Sequence, residues 1–322
     1  MKKSICIILI SLFAIVYSGK SQTPNAGTVL AGTFQTSQSS TPGSGIAALT
    51  KTNKFTHGRF FFYWGYNRSA YTKSDIRFSG NNYDFTISNV KASDNPTKTL
   101  LSYVQPMQIT HSQYDYRIGF YLNDKYSISL GADHMKYHLL QQATHLTGNI
   151  NSGLNAGYYN NALVLVGEDM GTNIPHDNYL CTLPNGFVPQ YENYSGLNDI
   201  SLELGRTDNL WTSVNKNFSF SAIENCGLGG VVTNTISRVL GVNSNSHSAT
   251  VWGYHLSGFS ATTGLGMQFN FFKHFFLLAR VKGGLIDLPN DRTSSEGGIA
   301  KQHFGFVETM AVLGCSFNLG NK

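Results

Sequence analysis

Between Tyr114 and Asp133 the chain alternates with a period of two. Tyr116, Ile118, Phe120 and Leu122 fall on one side, and Asp115, Arg117, Gly119, Tyr121 and Asn123 on the other, which predicts a strand. After Asn123-Asp124-Lys125 the apolar side continues through Tyr126, Ile128, Leu130 and Ala132 against Ser127, Ser129, Gly131 and Asp133, so the segment reads as an antiparallel hairpin. The same alternation begins at Gly58 (Phe60, Phe62, Trp64, Tyr66) and returns at 197–206, 216–226, 260–271, 275–285 and 303–319, giving eight strands in all. Weaker runs at 83–88, 99–109, 144–150 and 161–167 bring the expected total to ten or twelve.

The connections alternate in length. Asn123–Lys125 and Lys273–His274 are tight and 207–215 is modest, whereas 68–112, 138–196, 227–259 and 287–302 are long. Short turns at one end and long loops at the other, with an even strand count, predict an all-β, closed, antiparallel up-and-down transmembrane β-barrel in the cell outer membrane, with its loops outside and both termini in the periplasm. The faces agree. Trp64, Tyr66, Tyr114, Tyr116 and Tyr126 suit lipid and an interfacial aromatic girdle, while Arg59, Asp115, Arg117, Asp133, Glu203, Arg280, Lys282 and Glu308 share the inward parity. Four acids and four bases would neutralise one another there. A soluble β-sandwich is the structural competitor, and it requires Trp64, Tyr66, Ile118 and Phe269 to be buried in a core.

Composition narrows the picture. Only 13% of the 322 residues are charged, another 13% are aromatic and 33 are glycine, the profile of a β protein with little charged surface. Met1-Lys2-Lys3, the apolar run Ile5–Tyr17 and the small residues Gly19 and Ser21 read as a signal peptide over 1–21. A Ser/Thr/Gly/Pro-rich lead over 22–54 follows, expected to be a flexible periplasmic segment, and then the barrel over 55–322. No later stretch is long and apolar enough for a membrane helix. The net charge of +5 is scattered along the chain, which excludes a nucleic-acid partner. The expected partners are outer-membrane lipid and lipopolysaccharide, the barrel assembly machinery during biogenesis, and outer-membrane proteins. The last strand supports the second of these, because Val312, Gly314, Phe317 and Leu319 resemble a C-terminal β-signal.

Candidate chemistry centres on the rim. Asp133 and His134 are adjacent and therefore point to opposite faces, so His134 needs a partner from the neighbourhood of Asn198, Asp199 and Ser201. An imidazole beside Ser201 would give a lipid A-modifying hydrolase with His134, Ser201 and Asp133 as its catalytic set, although no nucleophile motif surrounds Ser201. The bland alternative has His134 and Lys136 holding phosphates or loop carbonyls. Lys136, Arg280 and Lys282 are the candidate ligand-binding cations, and the last two otherwise belong to a structural network. The acids at 168–169, 177 and 287–291 lack the spacing of a calcium loop, so neither a metal nor a cofactor is expected. Cys181 and Cys226 both fall on the loop side in this reading and are the disulfide candidates, and Cys315 faces lipid.

The stretches FFFYWGYNRSAYTKSDIRFSGNNYDFT and GADHMKY resemble an uncharacterised family of outer-membrane β-barrel proteins of the Bacteroidota, from about residue 56 to the C-terminus. The resemblance implies a barrel without an established activity. It also implies His at position 193 and Asp at position 195, where this chain has Asn193 and Ser195, so any chemistry seated on those two positions is lost here. The expectation is therefore an integral outer-membrane barrel whose loops bind or build. A rim hydrolase and a narrow channel are the alternatives.

Overall fold

The computed structural model describes residues 58–96, 112–151, 157, 160–167, 190–193, 196–239, 242–245, 254–272, 274–293 and 297–318. The expected signal peptide, the 22–54 lead, the 99–109 strand, Cys181, Ser195 and Leu319 lie outside them.

Among the described residues there are seventeen strands: β1 (Arg59–Tyr71), β2 (Ser74–Gly80), β3 (Tyr83–Val90), β4 (Ala92–Ser93), β5 (Tyr114–Tyr121), β6 (Tyr126–Met135), β7 (His138–Leu139), β8 (Gln142–Ile150), β9 (Leu163–Val166), β10 (Gln190–Glu192), β11 (Leu197–Thr212), β12 (Phe218–Thr233), β13 (Ile236–Val239), β14 (Val242–Asn245), β15 (His255–Phe271), β16 (Phe275–Arg292) and β17 (Ile299–Asn318). All are linked in one network of hydrogen-bonded neighbours. The long strands close a circuit of eight, every pair antiparallel: β1–β5, β5–β6, β6–β11, β11–β12, β12–β15, β15–β16, β16–β17 and β17–β1. The seam runs from Arg59 opposite Asn318 to Tyr71 opposite Phe306.

The outward parity is apolar across a band of defined height. On β16 Phe275, Leu277, Ala279, Val281 and Leu285 are exposed and Gly283 lies between them, and the next outward residue is Asp287. That span is about the nine to eleven residues a tilted strand needs to cross hydrocarbon. Ile118 is 52% exposed, Leu202 52%, Phe269 38% and Leu313 55%. A sandwich would have buried Ile118 and Phe269, so the fold is an integral outer-membrane β-barrel, its apolar belt facing lipid and its charges facing in.

The remaining strands are additional in a different sense from the one the sequence suggested. The alternation at 83–88, 144–150 and 161–167 forms β3, β8 and β9, yet none of them is a further crossing of the belt. Above the seam, Ile299–Gln302 of β17 leave β1 and pair with Ile76–Ser79 of β2, and the sheet continues through β3, β8 and β9. On the other side of β1, Ala70 pairs with Ser93 of β4, and β7, β10, β13 and β14 follow. Strands as long as the twenty residues of β17 overshoot the belt at the loop end. There they merge with the short strands into a platform that has its own core, including Ile76, Phe78, Phe85, Ile87, Met135, Tyr137, Leu146, Val164, Tyr191, Leu288 and Phe304.

At the turn end the barrel is plugged. Phe61, Tyr63, Tyr121, Phe276, Leu278, Met310 and Val312 form a second apolar cluster. Gly119 and Gly314 make room for it, since a Cβ on either would run into the Phe61 or the Phe276 ring.

Candidate functional site

Between the plug and the platform core lies a layer of ionisable side chains. Every one of them is at an inward position on a crossing strand, and the alternation that puts Ile118 in lipid puts Arg117 in the lumen. Asp115, Asp133, Asp199, Lys282 and Glu308 are fully buried, Arg117 is 1% exposed, Glu203 2% and Arg280 4%. Arg117 Nη2 lies 3.0 Å from Glu203 Oε1 and 3.5 Å from Asp133 Oδ2, and Arg280 Nη1 is 2.7 Å from Glu203 Oε2. Lys282 Nζ serves three carboxylates, touching Asp133 and standing 3.0 Å from Glu308 and 3.5 Å from Asp199. Asn67 Nδ2 donates to Asp115 Oδ1 at 2.6 Å, and Ser260 Oγ to Asp199 Oδ1 at 2.5 Å. Small residues opposite make the space: a Cβ on Gly229 would collide with Asp199, and one on Gly227 would come within 2.7 Å of Glu203 Cγ. Since Arg117 and Lys282 have almost no exposed surface, the lumen of this eight-stranded circuit is filled at their level by its own side chains.

Several expectations change at this level. Arg280 and Lys282 are committed to carboxylates and offer no free charge to an anion. Asp199, read from sequence only as a neighbour of His134, belongs to the layer. Arg59 shares the parity but is half-buried at the turn end, 5.0 Å above the Tyr121 ring.

The rim hydrolase does not assemble. Asp133 and Ser201 point into the lumen, where Arg117 Nη2 donates to Ser201 Oγ at 2.9 Å and Nη1 to its carbonyl at 3.2 Å. His134 points outward. Its register partner is Asn198, whereas Ser201 stands three positions along, opposite Gly131. The imidazole stacks on Tyr114 at 4.8 Å and 9°, and its Nδ1 meets Asn198 Oδ1 at 2.7 Å. With Asn198 Nδ2 donating to Val232 O at 3.0 Å, that contact takes the ring N–H. Gly196, at φ +121°, closes over the ring, where a Cβ would run into it. His134 is thus a packed and satisfied residue on the outer face of β6. Lys136, just above β6, is half-buried. Burial lowers its ammonium pKa, against the pull of Glu192 and Asp94.

Cys226 corrects another expectation. It sits halfway along β12 on the outward face, opposite Leu204 and Thr263, and is a free thiol. It is therefore in the belt rather than at the loop end, and its expected partner Cys181 lies outside the described residues. Cys315 is also free and faces outward.

At the loop end a second polar cluster surrounds Asp291, which the sequence reading treated as a loop acid. Its fully buried carboxylate accepts from Tyr191 Oη at 2.5 Å, Thr233 Oγ1 at 2.6 Å, Thr235 Oγ1 at 2.8 Å and Ser257 Oγ at 3.2 Å, with Asn193 Nδ2 at 3.5 Å. Burial, reinforced by Asp291, pushes the Tyr191 phenol well above its ordinary pKa and keeps it a donor. Asn193, one of the two positions singled out by the family resemblance, therefore faces a carboxylate, while its Oδ1 accepts no hydrogen bond. Nearby, buried His138 Nδ1 lies 3.4 Å from Glu192 Oε2, and Asn95 Nδ2 donates to Glu192 Oε1 at 3.0 Å.

No family model matches the chain, and no curated protein matches it. Among solved structures it is similar to Ail, the attachment invasion locus protein of Yersinia pestis, in a complex with the heparin analogue sucrose octasulfate (10% identity, TM-score 0.31, 81% of this chain and 100% of that one). It is also similar to the outer membrane protein OprG from Pseudomonas aeruginosa (12%, 0.35, 81% and 97%) and to the outer membrane protein AlkL in DMPC bilayers (6%, 0.35, 87% and 99%). At these scores the likeness adds nothing to the barrel geometry described above.

Proposed function

We propose that this outer-membrane barrel is a pedestal for its loop-end platform. Residues 1–21 export the chain, the platform faces the cell exterior, and the function is binding or structural with no reaction. One observation supports the reading: the connections of the loop end are folded into a sheet with its own apolar core, while the lumen beneath is filled. Folding of this kind costs conformational entropy that a simple membrane plug has no need to spend. The platform offers its partners β9, which among the described residues pairs with β8 alone and carries Leu163 at 63% exposure, and an exposed Arg77–Asp84 pair at 2.6 Å. The partners that suit such a surface are outer-membrane proteins and lipopolysaccharide, with the assembly machinery acting only at insertion.

Site-specific photo-crosslinking in intact cells tests it. A photoreactive residue at Leu163 or Arg77 gives a discrete protein or lipopolysaccharide adduct, and the same residue at Leu277 in the belt gives phospholipid only. Inserted barrels with no adduct at any platform position would remove the binding reading. The hydrolase alternative is tested separately, by mass spectrometry of lipid A from cells expressing wild type or His134→Ala. Lipid A is the same in both, and an acyl loss that depends on His134 would overturn the assignment of this histidine to packing.

A further inference from the structure

The lumen layer is not electrically balanced. Its buried acids are Asp115, Asp133, Asp199, Glu203 and Glu308, and its buried bases are Arg117, Arg280 and Lys282. With every group ionised, five carboxylates against three bases carry a surplus of two negative charges. Such a surplus in a dry interior is strongly unfavourable unless something positive joins it.

The surplus has a location. Glu203 is served by two guanidinium groups, and Asp199 by Lys282 and the Ser260 hydroxyl. Asp115 forms no ion pair among the described residues, and its partner is the Asn67 amide. Asp133 and Glu308 share the ammonium of Lys282 with Asp199, and Asp133 also has the more distant Arg117, itself shared with Glu203. These three carboxylates, from β5, β6 and β17, bring one oxygen each to within 4.8 Å of one another. Independently of that proximity, Asp115 Oδ2, Asp133 Oδ1 and Glu308 Oε1 accept no hydrogen bond although all three residues are fully buried. Three buried carboxylates gathered at one point, each with an oxygen that no hydrogen bond satisfies among the described residues, in a layer with more acids than bases, have the chemistry of a hard divalent cation site.

We propose that Asp115, Asp133 and Glu308 hold one divalent cation of the Ca²⁺ or Mg²⁺ class inside the barrel. The ion neutralises the surplus and ties the last strand, through Glu308, to the β5–β6 hairpin. Lys282 stands at the edge of the site and keeps Asp133 and Glu308 turned toward it. Because the apolar plug lies below and the platform core above, the ion is taken up while the barrel closes and is then retained. The competing way to balance the layer is two protons on the same carboxylates.

The experiment is to refold the full chain from urea into detergent micelles in EDTA alone, with excess CaCl₂, or with excess MgCl₂. The folded, heat-modifiable barrel is then desalted and its metal measured by plasma mass spectrometry. The expected result is about one equivalent of Ca²⁺ or Mg²⁺ per folded barrel, as a single three-carboxylate site implies, with a lower folded yield in EDTA. Asp115→Asn combined with Glu308→Gln loses the metal, while Asp291→Asn keeps it. Folded wild type carrying neither ion after refolding in either salt overturns the proposal and leaves the charge with protons. Metal retained by the double variant, or lost from Asp291→Asn, overturns the placement. Should the double variant not fold, the wild-type stoichiometry decides alone.

Discussion

Two regions of this molecule bury carboxylates, and they satisfy them by opposite means. In the lumen, Lys282, Arg117 and Arg280 face the acids; Lys282 is shared among three carboxylates and Arg117 between two, while Arg280 joins Arg117 on Glu203. At the loop end, Asp291 forms no ion pair among the described residues and is surrounded by hydroxyl and amide donors. The two arrangements fail differently. In a shared ionic layer one lost base strands several charges at once, because each remaining carboxylate still carries its full desolvation cost. In a hydroxyl cluster the donors are neutral, several to one carboxylate and able to reorient, so a loss stays local.

Lys282→Met is the strongest test of that contrast. It leaves Asp133, Asp199 and Glu308 without their common ammonium, and breaking a buried pair costs about 3 to 5 kcal/mol. The expected outcome is a collapse of the folded, heat-modifiable band, partly recovered when Glu308→Gln is added. Asp291→Asn comes next. It keeps the shape and loses only charge-assisted bonds, so urea unfolding in micelles shifts by about 1.5 to 3 kcal/mol with the barrel still formed. If Asp291→Asn proves as damaging as Lys282→Met, the contrast between shared bases and neutral donors is wrong.

The smallest effect depends on pH. Burial alone would raise the pKa of Glu192, but the hydrogen bond and charge of His138, the Asn95 bond and Lys136 outweigh it and hold the carboxyl below its ordinary range. A carboxyl with a depressed folded pKa contributes stability that is fully present above its unfolded value, about 4.3, and is lost as pH falls through the folded one. Platform protection against proteolysis is therefore flat from neutral pH down to that value and declines below it, and Glu192→Gln removes the acid-side decline. A decline at the same pH in Glu192→Gln would assign the acid sensitivity elsewhere.

Much of the barrel was legible because lipid and lumen impose opposite demands on alternate residues. Phe60, Phe62, Ile118 and Leu130 mark one face, while Arg117, Asp133, Arg280 and Lys282 mark the other. Tyr83, Phe85 and Ile87 alternate in the same way, yet their apolar face meets a protein core instead of lipid. Period two reports that a face is apolar without reporting which apolar medium it meets, so platform strands and extra crossings look alike in sequence. The balance of the lumen was misread for a related reason. Asp199 shares parity with Glu203 and could have been counted, but the half-burial of Arg59 depends on where the first crossing begins. The cluster at Asp291 had no local signature at all, because its donors come from β10, β12, β15 and the segment after β12. His134 looked catalytic by residue type, and only the strand register shows that it and Ser201 are on opposite sides of the wall.

The seam between β1 and β17 has a kinetic consequence. Its partners, Arg59 and Asn318 at one end, stand at opposite extremes of the barrel sequence, so the ring closes by the most distant contact in the chain, at the full loop-closure entropy. Until the final strand arrives, the β1 edge is open and Glu308 is absent from the lumen layer. Commitment to the membrane is thereby coupled to completion of the chain. A product truncated before β17 leaves the facing edges of β1 and β16 bare, and unpaired strand edges cannot be left standing in hydrocarbon.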